Sequence, residues 1–177
     1  MRTLHNIDLK NNESGFTLRW QDRLILSHTA DAPCLWIGAG EADIEMFRGN
    51  FSIKDKLNEK IALTDATVTQ QSAGWAIRFT RGDAVSATLL VGVDVEGRLE
   101  LKLKNDAASH NRIWLRLAAQ PEDHIYGCGE QFSYFDLRGK PFPLWTSEQG
   151  VGRNKQTYVT WPVSYTHLRA HETGAYL

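Results

Sequence analysis

The residues best equipped for chemistry lie in one stretch, IYGCGEQFSYFDLRGKPFPLW, from Ile125 to Trp145. Glu130 and Gln131 set a carboxylate beside an amide, and such a pair can accept from and donate to vicinal hydroxyls, as sugar recognition requires. Gly127 and Gly129, on either side of Cys128, allow close approach of the backbone or a positive φ at the end of a strand. Phe132, Tyr134, Phe135, Phe142 and Trp145 then surround Asp136, Arg138 and Lys140, while Pro141 and Pro143 hold the chain extended. The segment is too irregular for a sheet strand and too aromatic for a free loop. It is expected to pack on its own sandwich or on a neighbouring domain. The same residues also fit a plainer description, a bend that only redirects the chain and a solvated turn glutamate.

Other chemistries fit less well. A dinucleotide-binding fingerprint needs a third glycine where Phe132 stands, with a helix to follow. A retaining glycosidase needs two acids roughly 5–5.5 Å apart; Asp136, Glu130 and Glu148 are available, but spacing alone places no pair. There is no GxSxG elbow and no cysteine–histidine arrangement with an orienting partner. His167 and His171 stand four apart, yet without the HExxH pattern or a further ligand, so no metal and no cofactor is expected. Cys34 and Cys128 are too few for a disulfide framework and read as reduced, partly buried thiols.

These residues must be held by something, and the whole chain says what. The 177 residues suit one domain or slightly more. Twenty basic and 21 acidic residues, interspersed to a net charge of -1, offer no basic stripe for nucleic acid or an anionic membrane. No run approaches the roughly 18 apolar residues of a membrane span, and the first residues lack the apolar core of a secretory signal. A cytoplasmic protein is expected. Six tryptophans fit both indole–sugar contacts and ordinary core packing.

The apolar period is two almost throughout. Phe16–Trp20 and Arg23–Ser27 flank Gln21 and Asp22, the spacing of a tight hairpin. Cys34–Gly38 is a short apolar run ended by Gly38 and Gly40. Trp75, Ile77 and Phe79 share one face. Leu99, Leu101 and Leu103 alternate with charges, as in a half-buried antiparallel strand. Ile113, Leu115 and Leu117 are expected to point inward from Arg112–Ala119. Only Ser52–Lys60, highly charged, reads as a helical turn or a long connection. Short strands with turn signals between them predict a mainly β fold, an antiparallel β-sandwich.

At this point the motifs carry a resemblance. Ile125–Phe132 followed by Asp136–Lys140 is similar to the motif closing the N-terminal, galactose-mutarotase-like β-sandwich of glycoside hydrolase family 31, a family of retaining α-glycosidases. The wording GEQFSYFDLRGKPFPLWTSEQGVGRNKQTYVTW resembles the bacterial sulfoquinovosidases within it, as do CLWIGAGEADIEMFRGNFSIKDKL and HNRIWLRLAAQPEDHIYGCGE. The likeness covers nearly all of residues 14–161.

The resemblance implies that the catalytic aspartates, nucleophile and general acid, sit on a following barrel. Such a barrel needs about 250 residues, so no catalytic residue is assigned in this chain. It implies that Glu130 and Gln131 bind substrate, Glu130 on the aglycone side, with Gly127, Gly129, Phe132, Tyr134 and Arg138 shaping or docking the loop. The implied partners are an α-glycoside, in particular a sulfoquinovoside, and the barrel of the same polypeptide. Residues 1–161 are expected to form the sandwich, incomplete at its C-terminal end. Residues 162–177 lack family character and are expected to be a disordered or artefactual tail beyond a foreign or frame-shifted junction. The alternative is a free-standing, non-catalytic β-sandwich that binds a saccharide.

Overall fold

The computed structural model describes residues 7–47, 50–83, 85–127, 134–140, 162–166 and 169–172. All regular structure in these residues is strand: β1 (Ile7–Asn12), β2 (Gly15–Trp20), β3 (Arg23–Thr29), β4 (Leu35–Phe47), β5 (Asn50–Ala62), β6 (Asp65–Gln71), β7 (Gly74–Arg81), β8 (Val85–Val93), β9 (Leu99–Asn105), β10 (Arg112–Leu115), β11 (His124–Gly127), β12 (Pro162–Thr166) and β13 (Arg169–Glu172). They form antiparallel sheets ordered β1-β2-β3, β10-β4-β5, β6-β7-β8-β9 and β11-β12-β13. The expected antiparallel, mainly β architecture is what the chain adopts. The chain divides into two compact units, Met1–Ala42 with Asp55–Ala119, and Asp43–Lys54 with Gln120–Leu177.

In the first unit the alternating apolar positions make one core. Phe16 and Leu18 of β2, Leu26 of β3, Leu35 and Ile37 of β4, Ile77 and Phe79 of β7 and Ala87, Leu89 and Val91 of β8 are all buried together. Burying a side chain of this size contributes about 1.5–3 kcal/mol, so these residues rather than loop contacts hold the unit. The buried His28 stacks on Phe16 at 5.5 Å and meets Phe79 edge-on at 5.2 Å. Its Nε2 lies 3.1 Å from the Thr64 carbonyl, while the Cys34 backbone N–H donates to its Nδ1 at 3.3 Å. Nε2 therefore carries the proton.

The β2–β3 hairpin closes through Gln21 and Asp22, both at positive φ (48° and 65°). These are the mirror-image turn dihedrals that suit the strand twist. Three segments differ from the sequence pattern. Ser52–Lys60 is strand, because its partner β4 supplies the hydrogen bonds and no apolar face is needed. It is pinned from β10 by Arg112, whose Nη2 lies 2.7 Å from the Asp55 carboxylate. The glycines at 38 and 40 do not end β4. A Cβ at Gly38 would lie 2.4 Å from the Glu59 carbonyl and 2.9 Å from the Trp114 ring, so glycine lets that indole lie across the strand. Finally, β10 stops at Leu115, and Ile113 (41%) and Leu117 (55%) are exposed rather than inward, β10 being the edge strand of its sheet.

In the second unit β11 pairs with β12, Gly127 facing Pro162, and β12 pairs with β13. Backbone strand thus occupies part of the stretch from 162, for which a disordered or artefactual tail was expected.

Candidate functional site

The polar loop of interest leaves β11 at Gly127 and returns at Tyr134. Gly129, Glu130, Gln131 and Phe132 lie outside the described residues, as do Cys128, Phe142, Trp145 and Glu148. What the structure describes is the frame holding both ends of that loop.

Asp136 is the centre of the frame. Its Oδ2 lies 2.7 Å from Nδ1 of His124, and its Oδ1 accepts the backbone N–H groups of Ile125 (3.2 Å) and Arg138 (3.0 Å). One carboxylate therefore ties the start of β11 to the returning segment. The His124 hydrogen bond first, then the Arg138 N–H, hold its carboxyl down to about 2, since hydrogen bonds to the charged form favour it. A carboxyl so engaged is no proton donor at neutral pH. Asp136, one of three acids available for a two-carboxylate mechanism, is thereby spent on structure.

Arg138 completes the clasp. Its Nη1 donates to the Asp123 carbonyl at 2.6 Å and to the Gln120 carbonyl. The Gln120 N–H donates in turn to the Asp123 carboxylate at 2.7 Å. Leu137, buried, sends its N–H to the Ile125 carbonyl at 2.7 Å. The chain then turns through Gly139 at φ 67°, with the Lys140 N–H bonded to the Leu137 carbonyl at 3.0 Å.

The aromatics are arranged in a row. His124 stacks on Tyr126 at 6.0 Å, and Tyr126 meets Phe135 at 5.0 Å. The Lys140 ammonium sits 4.8 Å from the Tyr134 ring. Phe135 remains 88% exposed and Tyr134 38% exposed. Of the residues singled out in sequence, the structure joins Gly127, Tyr134, Asp136 and Arg138 to one frame. His124 and Asp123 were missed, because neither belongs to a local motif and their roles depend on a partner 12 or 15 residues away. Among the described residues no cluster of ligating side chains could hold a metal, and no helix is long and apolar enough to cross a membrane.

The chain matches, over residues 8–177, the family model for the glycosyl hydrolase 31 N-terminal galactose mutarotase-like domain. It belongs to that family. Within it, this glycosyl hydrolase 31 N-terminal domain is 76% identical over 158 residues to a sulfoquinovosidase of Escherichia coli K12, matching 89% of this chain and 23% of the relative. It is 41% identical over 159 residues to a sulfoquinovosidase of Agrobacterium fabrum, matching 86% of this chain and 22% of the relative. A solved GH31 family sulfoquinovosidase from E. rectale, in complex with the aza-sugar inhibitor IFGSQ, superposes with a TM-score of 0.67 at 39% identity, over 86% of this chain and 22% of that one. The chain thus spans less than a quarter of the length of the relatives it matches.

Proposed function

We propose that this domain is the N-terminal part of a retaining α-glycosidase that hydrolyses α-sulfoquinovosides in the cytoplasm. The observation that carries the reading is the 76% identity to the E. coli sulfoquinovosidase. In the whole enzyme, one carboxylic acid protonates the glycosidic oxygen while a second carboxylate attacks the anomeric carbon, and water then resolves the glycosyl-enzyme with retention. Both acids belong to the barrel of the same polypeptide. This domain supplies the loop after Gly127: Glu130 accepts from, and Gln131 donates to, hydroxyls on the aglycone side. Gly129 bends the loop, and Phe132, Tyr134 and Arg138 shape it. The clasp of Asp136 and Arg138 supports this reading, because a loop that must meet a sugar at hydrogen-bond distance needs both ends held.

The test is a graft of residues 1–161 in place of the matching segment of the E. coli enzyme, assayed on a chromogenic α-sulfoquinovoside. Hydrolysis is expected, with KM raised about tenfold by Glu130→Gln, the loss of one hydrogen bond to a charged group. A folded but inactive graft, or one indifferent to Glu130→Gln, would sink the reading. Calorimetry on the 177-residue chain covers the other class. Saturable binding of uncharged α-glycosides, with no dependence on a barrel, would make it a stand-alone saccharide binder.

A further inference from the structure

Past Gly38, where the pairing with β10 ends, β4 and β5 continue among the described residues as a two-stranded ribbon. Every side chain from Glu41 to Met46 and from Ser52 to Lys60 is exposed. The two faces of the ribbon differ in chemistry. Alternation puts Glu41, Asp43 and Glu45 on one side of β4, and Ala42, Ile44 and Met46 on the other. Glu45 reaches the Lys54 ammonium at 3.7 Å, so Lys54 and Lys56 share the acidic side, and that face carries both signs of charge. A Cβ at Gly40 would lie 3.4 Å from the Leu57 Cα, so Leu57 and Ile53 share the other side. Asp55 lies on that side too and is taken by Arg112.

The apolar side meets water. Ile44 is 56% and Met46 63% exposed, on the kind of face that an antiparallel sheet packs on a core while its polar face is solvated. A two-stranded hairpin without such packing is only marginally stable in water. The second unit, which holds Asp43–Lys54, has little cover to give. Among its described residues Leu137 is the one buried apolar side chain, and Ile125 and Phe135 are themselves exposed. A second copy is a poor cover as well. A stable dimer takes about 800 Å² and some 20–30 residues from each partner, whereas the large apolar side chains here are Ile44, Met46, Ile53 and Leu57. A surface on the same polypeptide needs less area, because tethering raises its effective concentration to the millimolar range. The E. coli relative continues well beyond the 23% of its length that this chain matches, which leaves room for such a surface.

We propose that the face formed by Ala42, Ile44, Met46 and Ile53 docks on an uncharged, apolar strip of the polypeptide that continues beyond this domain. The charged face of the ribbon stays in water. This rests on the reading above only in taking the chain as part of a longer protein.

The test compares Met46 in the 177-residue chain and in the graft of residues 1–161 into the E. coli enzyme. Sulfoxide formation by dilute hydrogen peroxide, read by peptide mass spectrometry, follows the exposure of the thioether, and it is expected to be at least about tenfold slower in the graft. Ile44→Lys should return most of that rate to the graft and leave the rate in the 177-residue chain unchanged. Glu45→Gln, on the charged face, should change neither. Equal oxidation of Met46 in the two proteins would overturn the proposal. So would protection in the 177-residue chain that is lost on dilution, the mark of a second copy. Hydrolysis of the sulfoquinovoside by the same graft keeps the two readings apart: a protected but inactive graft removes the glycosidase reading alone, and an active graft with unprotected Met46 removes this one alone.

Discussion

The Asp136 carboxylate and the His124 ring, 12 residues apart, meet at 2.7 Å and so join the outgoing and returning ends of the loop that carries Glu130. Because Asp136 also takes the N–H groups of Ile125 and Arg138, its charge serves three donors at once. Positioning, rather than proton transfer, is what this acid does.

Asp136→Asn should therefore loosen the loop base while leaving the core of the first unit intact. The expected signature is faster amide exchange at Ile125 and Arg138, with Leu18 and Leu89 unaffected. The pH dependence carries a definite sign. The folded carboxyl sits at about 2, below its unfolded value near 3.9, so its contribution is complete above about pH 4 and fades as pH falls toward 2. Equal exchange rates in wild type and Asp136→Asn at pH 6 would contradict this assignment.

His28 predicts an acid-side loss of stability at milder pH. Burial lowers its pKa below the ordinary 6.5, so the folded chain holds the neutral ring while the unfolded chain takes up a proton. Stability is then complete above about pH 6.5 and declines below it, by at most about 1.4 kcal/mol per pH unit for this one proton. Urea midpoints between pH 5 and 7.5 would measure the slope. His28→Phe should flatten it, while costing about 1–3 kcal/mol for the backbone groups of Thr64 and Cys34 left without their partner.

At Gly38 the packing admits no side chain. An added Cβ would meet the Glu59 carbonyl at 2.4 Å and Trp114 at 2.9 Å, so Gly38→Ala should destabilise by about 1–3 kcal/mol. The indole must move to accommodate it, and the Trp114 N–H signal should shift. A neutral substitution with an unmoved Trp114 signal would show that β4 and β10 do not pair as described.

The β2–β3 turn offers a gain. Gln21 and Asp22 both occupy positive φ, which Asn and Gly adopt with less strain. Replacing the pair by Asn-Gly should raise stability by about 0.5–1 kcal/mol, read as a higher melting temperature with no change in the spectrum of the core. A loss of stability would mean that the Arg19 bond to the Asp22 carbonyl, at 2.8 Å, depends on the native pair.

Much of this architecture was legible in the one-dimensional pattern, since alternation has a period of two wherever one face of a strand is buried. Ile77 and Phe79 announced themselves as core in this way, and the glycosidase-type motif around Gly127 and Arg138 could be read directly. Ser52–Lys60 could not, because a strand stabilised by its neighbour's backbone and by one Arg112–Asp55 pair carries no apolar period. Nor could the exposure of Ile113 and Leu117, which depends on β10 lying at the edge of its sheet and ending at Leu115. The pairing of His124 with Asp136 is likewise a contact between distant positions. Local pattern decides which way a side chain faces along its own strand. Only the tertiary structure decides which strand lies opposite, and so which charges are neutralised and which faces remain to meet a partner.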